Sequence, residues 1–328
     1  MNTTLRGRTM LLLASTAALL ALTSCGDPVS ATDSASDQDA PDSWSFTDTG
    51  YGNTITLDER PESLVVDGYS AAALWEYGIR PAGVFGYGIT EEDSVAIGAA
   101  DVSQMTVVGR EGEFDLEQLG ALEPDLIVGF GDDDGTGWTW WDEQVQSEAT
   151  RVAPFLGVDF GGRPVQEVIE DYVSLAEALG GDTDSTEAEQ AAQDFEERLQ
   201  VLRDIASDSP DLTLIALNGY DELYVGQSTL GQLALLEELG FTLTGPDADS
   251  AWASLSWESV GDYPADVVLS YAGTADQVKD VPAFGRLPAV QAGQVVEWDD
   301  KRPFTYASYV EWLDDLIDVL GDARVVSS

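Results

Sequence analysis

Apolar residues recur every three or four positions between Pro164 and Leu179. Val165, Val168, Ile169, Tyr172, Leu175, Ala176 and Leu179 share one side, while Gln166, Glu167, Glu170, Asp171 and Glu177 fall mostly on the other. The pattern predicts one unbroken amphipathic helix. Pro164 suits a first helical turn, and Gly180-Gly181 supplies a residue that tolerates a left-handed C-terminal cap. At about 1.5 Å per residue the helix is a rod of roughly 24 Å, comparable with the thickness of a small lobe. Two readings fit this spacing, an ordinary core helix and a bridge between two lobes.

On the N-terminal side of the rod, Trp44 to Leu57 alternates apolar and polar residues around Tyr51-Gly52-Asn53, the pattern of a short hairpin. Strands follow at Leu64-Val66, Gly83-Phe85, Thr106-Val108 and Asp125-Val128, with helices at Ser70-Tyr77 and Asp115-Leu122 between them. This alternation predicts an open α/β sheet. Beyond the rod the pattern resumes, with a helix over Thr186-Ala206, a strand at Leu212-Leu217, a helix at Gln232-Leu239 and a strand ending at Leu269. One unit occurs on both sides. Glu117, Leu119, Pro124, Asp125, Ile127 and Val128 are echoed by Glu258, Val260, Pro264, Asp266, Val267 and Val268, each with eight residues from Glu to Asp. A supersecondary unit repeated across the rod favours two similar lobes. The expected organisation is a first lobe over residues 44–162, a linking helix over 163–181 and a second lobe over 182–328.

Open α/β sheets bind ligands beyond the carboxyl ends of their strands. In the first lobe those loops carry Tyr69, Tyr87, Arg110 and the segment Gly131 to Trp141, GDDDGTGWTWW. Trp138, Trp140 and Trp141 read as an aromatic wall of a cleft, or as a cluster packed on its own lobe. Asp132-Asp133-Asp134-Gly135 lacks the alternate ligand positions and terminal Glu of an EF-hand loop, so no metal site is expected there. In the second lobe Tyr220, Trp252, Tyr271, Arg302 and Tyr306 follow strands or loops that face the same way. Arg302 has a competing partner in Asp299 or Asp300, and Arg110 in Glu111 or Glu113.

Composition narrows the chemistry. There are 14 basic and 61 acidic residues and no histidine. Lacking histidine, the chain cannot build a Ser-His-Asp or Cys-His site, and it lacks the commonest ligand of zinc and haem. No local pair of carboxylates stands out as glycosidase machinery. A net charge of -47 repels nucleic acid and favours a neutral or cationic ligand over a polyanion. Lysine occurs only at Lys279 and Lys301, and such an acidic, lysine-poor surface suits either a high-salt habitat or a generally acidic secreted protein.

At the start of the chain, Arg6 and Arg8 precede an uncharged stretch from Met10 to Leu22, too short for a comfortable membrane span, and Leu22-Thr23-Ser24-Cys25 follows. This resembles a bacterial lipoprotein signal, over residues 1–25, whose terminal cysteine is lipidated. Removing the two arginines changes 14 basic residues to 12, and 12 minus 61 is -49. Cys25 is the one cysteine, so an intrachain disulfide is excluded. Residues 26–43 are Ser, Asp, Ala, Thr and Pro with almost nothing apolar, the composition of a disordered tether.

From Trp44 onward the chain resembles the substrate-binding lipoproteins of ATP-driven importers for ferric siderophores and cobalamin. The resemblance rests on ITLDERPESLVV, VVGREGEFDLEQLGALEPDLIVG, WASLSWESVGDYPADVVLS, FGRLPAVQAGQVVEWDD and YVEWLDDL, which follow one another in that order. It implies the class III periplasmic-binding-protein fold, two Rossmann-like lobes joined by a single long helix, with Pro164 to Leu179 in that role. It further implies docking on a permease and its ATPase through one carboxylate per lobe, Glu117 of FDLEQL and Glu258 of LSWESV. Arg110 lies close to an arginine of the family's hydroxamate receptors, in a loop one residue different in length. The expected protein is a monomeric, lipid-anchored receptor on the outer face of the cell membrane, without cofactor or catalysis, holding iron only through its chelator. A hydroxamate complex suits the few basic residues better than a polyanionic catecholate. A cobalamin receptor is the alternative, with a lipoprotein hydrolase or a ligand sensor behind it.

Overall fold

A computed structural model describes residues 43–89, 95–219 and 221–327. The chain divides into two units, Met1–Ala40 and Pro41–Ser328, and the second holds all of these residues. The expected signal with Cys25, the tether up to residue 42, and Tyr220 lie outside the described residues.

Strands β1 (Trp44–Thr47) and β2 (Thr54–Leu57) form an antiparallel hairpin. Its turn is held by Asp48, whose carboxylate accepts the backbone N–H of Tyr51 at 2.6 Å and of Asn53 at 2.9 Å. The first lobe then runs β3 (Leu64–Asp67), α1 (Gly68–Glu76), β4 (Gly83–Phe85), β5 (Thr106–Val107), β6 (Gly109–Arg110), β7 (Glu113–Phe114), α2 (Leu116–Ala121), β8 (Leu126–Phe130), α3 (Glu143–Val152) and β9 (Phe155–Val158). Its five-stranded sheet has the order β5-β4-β3-β8-β9, parallel throughout. Strands covered on both faces must be apolar on both, and β3, β4 and β9 are buried at every residue. Successive side chains enter different layers. Val66, Leu126, Val128 and Leu156 join one cluster, while Val65, Ile127 and Phe155 join another on the opposite face.

Helix α4 (Val165–Ala178) leads out of this lobe. It is followed by α5 (Thr186–Asp208), β10 (Thr213–Gly219), β11 (Leu223–Gly226), α6 (Gly231–Glu238), β12 (Thr242–Leu243), β13 (Trp252–Leu255), β14 (Val267–Tyr271), α7 (Ala275–Val278), α8 (Pro288–Ala292), β15 (Val295–Trp298) and α9 (Tyr306–Asp322). The second sheet has the order β13-β11-β10-β14-β15, with β12 also beside β10. Strands β12, β14 and β15 run parallel to their neighbours, whereas β11 is antiparallel to both β10 and β13.

The protein therefore has two α/β lobes joined by one helix. Helix α4 packs on α1 of the first lobe and on α6 of the second. Its buried side is the predicted Val165, Val168, Ile169, Tyr172, Leu175 and Ala176, with one addition, Asp171, which the spacing puts on the polar side and which is buried beside Arg163. A fully buried aliphatic side chain contributes about 1.5–3 kcal/mol, so this stripe ties both lobes to the helix. Cross-links fix its rotation. The Tyr172 hydroxyl lies 3.0 Å from Ser70 Oγ on α1, and Arg163 donates to Asp171 at 2.6 Å. The helix stops as expected: Gly181 N–H donates to Ala176 O at 2.7 Å and Gly180 N–H to Glu177 O at 2.9 Å, with Gly180 at φ 82°. This is a Schellman cap, which a residue with a Cβ fills at a cost.

The internal repeat acquires a structural reason. Asp125 Oδ2 accepts the backbone N–H groups of Glu62 and Ser63 at 2.9 and 2.8 Å, just ahead of β3. Asp266 Oδ2 accepts the N–H of Thr213 at 3.0 Å, at the start of β10. Each aspartate thus ties the beginning of one central strand to its neighbour. Asp266 does more, because its Oδ1 accepts Val326 and Ser327 N–H at 2.7 Å and so anchors the last residues of the chain.

Candidate ligand cleft between the lobes

In the first sheet the strand order reverses between β3 and β8, which opens a crevice at their carboxyl ends. Asp67, the last residue of β3, occupies that point and is 1% exposed. Its Oδ1 accepts Ser70 N–H at 2.8 Å and caps α1. Its Oδ2 accepts Phe130 N–H at 2.7 Å and Trp138 Nε1–H at 3.2 Å. Burial pushes the Asp67 carboxyl above its ordinary range, against the pull of these donors. Sequence reading passes over this residue, since a lone Asp before a helix signals a cap and nothing more.

Around Asp67 the aromatic segment separates into two parts. Trp138 is buried against Phe85 at 5.3 Å, and Trp141 packs on Phe85, Phe114 and Phe155. Trp138 is buried and Trp141 half-buried against their own lobe, the second of the two readings. The indole rings fill the space left by small residues: a Cβ at Gly86 would stand 3.0 Å from Trp138. Trp140 differs, being 43% exposed and stacked edge-on against Tyr87 at 5.2 Å. The acidic loop before them is closed by Asp132, whose Oδ1 accepts Thr136 N–H at 2.8 Å and whose Oδ2 accepts Gln146 Nε2 at 3.0 Å.

A cleft of about 280 Å³ lies where loops of the two lobes meet. The first lobe contributes Tyr69, Tyr87, Val95 and Glu111, and the second contributes Tyr271, Asp299 and Lys301. Three predicted residues, Tyr69, Tyr87 and Tyr271, therefore face one space from both sides. Tyr271 donates its hydroxyl hydrogen to Asp300 Oδ1 at 2.6 Å. Burial first, then the charge of Asp300, pushes both the Tyr69 and Tyr271 phenols above their usual range. Both stay protonated; the Tyr271 hydrogen is already given to Asp300, which leaves the Tyr69 hydroxyl to donate to a ligand oxygen.

The other predicted residues lie outside this lining. Arg110 is exposed on β6 with no ion pair among the described residues, and its neighbour Glu111 reaches the cleft instead. Arg302 is turned inward: Nη2 donates to Asp299 at 2.9 Å and Nη1 to Ser308 O at 2.6 Å, so its guanidinium braces the loop. Trp252 packs behind Tyr271 at 5.8 Å and against Trp298 at 5.5 Å. Tyr306 opens α9 and lines a separate cavity with Glu76 and Tyr77. Arg302, Trp252 and Tyr306 are absent from the lining of this cleft, because a strand-end position does not say which way a side chain turns. Glu111, Asp299 and Lys301 were each one to three residues from a predicted position. Among the described residues no group of three or more acidic, Cys or His side chains is placed to hold a metal ion.

Glu117 and Glu258 are exposed. Glu117 lies in the first turn of α2, where Asp115 Oδ1 accepts its N–H at 3.0 Å. Glu258 lies in the turn closed by Ser259 N–H donating to Ser256 O at 3.0 Å. Each precedes the segment that enters the repeated strand, β8 or β14.

A family model described as periplasmic binding protein matches residues 84–302. DesE, a ferric-siderophore receptor protein from Streptomyces coelicolor, is similar in structure with a TM-score of 0.78 and 29% identity, covering 87% of this chain and 100% of DesE. The Fe(3+)-citrate-binding protein YfmC of Bacillus subtilis (strain 168) is 23% identical over 255 residues, 74% of this chain and 75% of YfmC. The Fe3+-Desferal bound siderophore binding protein FhuD from Vibrio cholerae shares the fold, with a TM-score of 0.61 and 17% identity over 81% of this chain and 100% of FhuD.

Proposed function

This chain belongs to the periplasmic binding protein family, in the branch whose two α/β lobes are joined by one helix, and from that membership we propose that it captures an iron(III)–siderophore complex for an ABC importer. The observation that carries the reading is the cleft, which presents Tyr69 and Tyr87 from one lobe and Tyr271 from the other. Aromatic faces cover the apolar shell of a chelate, and the Tyr69 phenol can donate to its oxygens. The names of the relatives point the same way, to ferric siderophore for DesE and ferric citrate for YfmC.

Charge favours a neutral or weakly cationic tris-hydroxamate. Asp299 already neutralises Arg302, and the one cation in the lining of the cleft, Lys301, shares it with Glu111. A tris-catecholate carrying several negative charges would meet no surplus of positive charge. In the full account the protein is lipidated at Cys25 and held at the outer face of the membrane. Glu117 and Glu258 dock the loaded receptor on a permease, and delivery involves no chemistry on the ligand.

A titration followed by tryptophan emission tests this reading. Ferric desferrioxamine, ferrichrome, a ferric tris-catecholate, ferric citrate and cobalamin are each added to the protein. Hydroxamate complexes are expected to bind at micromolar concentration or below, and the catecholate at least tenfold more weakly. Binding of cobalamin alone, or of nothing in the set, refutes the proposal.

A further inference from the structure

Of the charged side chains that line the cleft, Asp299 is held by Arg302, while Glu111 and Lys301 have no ion-pair partner among the described residues. They face the same space from opposite lobes. Both line one cleft of about 280 Å³. Their backbones are anchored even though their side chains are free. Glu111 stands at the tip of the β6–β7 hairpin, where its N–H donates to Gly86 O at 3.0 Å. The N–H of Lys301 donates to Asp299 Oδ1 at 3.1 Å, and Asp299 is itself locked to Arg302.

Two further facts make this pair unusual. Glu111 has φ 51°, a left-handed conformation that a residue with a Cβ adopts at a cost, so a glycine would sit there more easily. Lys301 is one of only two lysines in a chain with 61 acidic residues, and the other, Lys279, is engaged by Asp276. A carboxylate on a strained backbone and a scarce ammonium thus line one cleft from opposite lobes, with no ion pair among the described residues.

We propose that Glu111 and Lys301 form a latch between the lobes, which pairs when they close over a bound complex and slows its release; this rests on the cleft being the ligand site argued above. The latch also selects. A neutral complex leaves the pair intact, whereas an anionic one takes Lys301 for itself and leaves Glu111 facing its negative charge. The pair is therefore a specificity determinant for uncharged ferric chelates.

Charge reversal tests the pairing. Glu111→Lys, Lys301→Glu and the double reversal are made in the full chain, and release of ferric desferrioxamine is followed by stopped-flow tryptophan emission. Each single reversal should speed release about three- to tenfold, and the double should return to within about twofold of the parent. A double reversal as fast as the product of the singles overturns the latch, since each residue would then act on the ligand alone. A second measurement reads the contact directly. In the chain carrying Cys25→Ser, the pair Glu111→Cys and Lys301→Cys is treated with a short bismaleimide with and without ferric desferrioxamine, which should speed bridging of the two thiols within one molecule. Bridging without any binding of ferric desferrioxamine would leave the contact standing and sink the ligand reading. Failure to bridge overturns the latch.

Discussion

Replacing Asp67 by Asn should destabilise the protein by about 2 kcal/mol, although Asn is ordinarily as good a helix cap as Asp. The reason lies in the number of acceptors. Asp67 presents two oxygens to three donors, Ser70 N–H at 2.8 Å, Phe130 N–H at 2.7 Å and Trp138 Nε1–H at 3.2 Å. An amide offers one oxygen, so its NH2 must face at least one of these buried N–H groups. Leaving a buried donor unsatisfied costs about 1–3 kcal/mol, and the surviving bonds lose their charge assistance. Removing a buried negative charge offsets part of this, since burial already disfavours the ionised form. Thermal unfolding followed by circular dichroism should show a midpoint lowered by about 3–6 °C at pH 7. Asp67→Ala, which removes both acceptor oxygens, should lose about 1–2 kcal/mol more. If Asp67→Asn unfolds within about 0.5 kcal/mol of the parent, or if Asn and Ala are equal, the account of Asp67 as the tie among α1, β8 and the tryptophan segment is wrong.

Other consequences can be checked alongside. Tyr172→Phe removes the hydroxyl 3.0 Å from Ser70 Oγ and should cost about 1 kcal/mol in urea unfolding, with lobe packing unchanged. Burial pushes the Asp266 carboxyl up, but N–H donors from Ser327, Thr213 and Val326 outweigh it and hold the group below its ordinary range. A depressed folded value stabilises above the unfolded pKa of about 3.9 and is lost as pH falls below it. Asp266→Asn should therefore be less stable than the parent at pH 7, with the gap narrowing as the pH drops below about 4. With a formal charge of -47, raising NaCl from 0.05 to about 1 M should raise the unfolding midpoint by several degrees, because a Debye length of about 3 Å screens self-repulsion. An unchanged midpoint would mean that the acidic surface does not repel itself appreciably.

Periodicity made the frame legible. The stripe from Val165 to Leu179 is the buried side of α4, and the Gly180-Gly181 stop is its Schellman cap. The Glu-x7-Asp echo located two equivalent strands, but pattern alone did not reveal why the aspartates recur. They bind backbone N–H groups more than fifty residues away, a contact that no local window contains. Site residues were harder for the same reason. Strand ends indicate which loops approach a cleft, and Tyr69, Tyr87 and Tyr271 follow that rule. Side-chain direction depends on neighbours: Arg302 turns inward because Asp299 and Ser308 O are there to receive it, and Trp138 because Asp67 is. Glu111 was weighed only as a partner for Arg110, yet it is the residue at the hairpin tip, placed by a left-handed backbone that nothing in a Glu announces.

The central claim is that an iron chelate lies between the two lobes and that the protein never touches the metal. Diffraction at the iron absorption edge, from crystals grown with ferric desferrioxamine, tests it most directly. The account predicts one anomalous peak in the cleft between Tyr87 and Tyr271, with all six iron ligands supplied by the chelator. A peak elsewhere on the protein, or an iron bound directly by a carboxylate or phenolate of the chain, would contradict it.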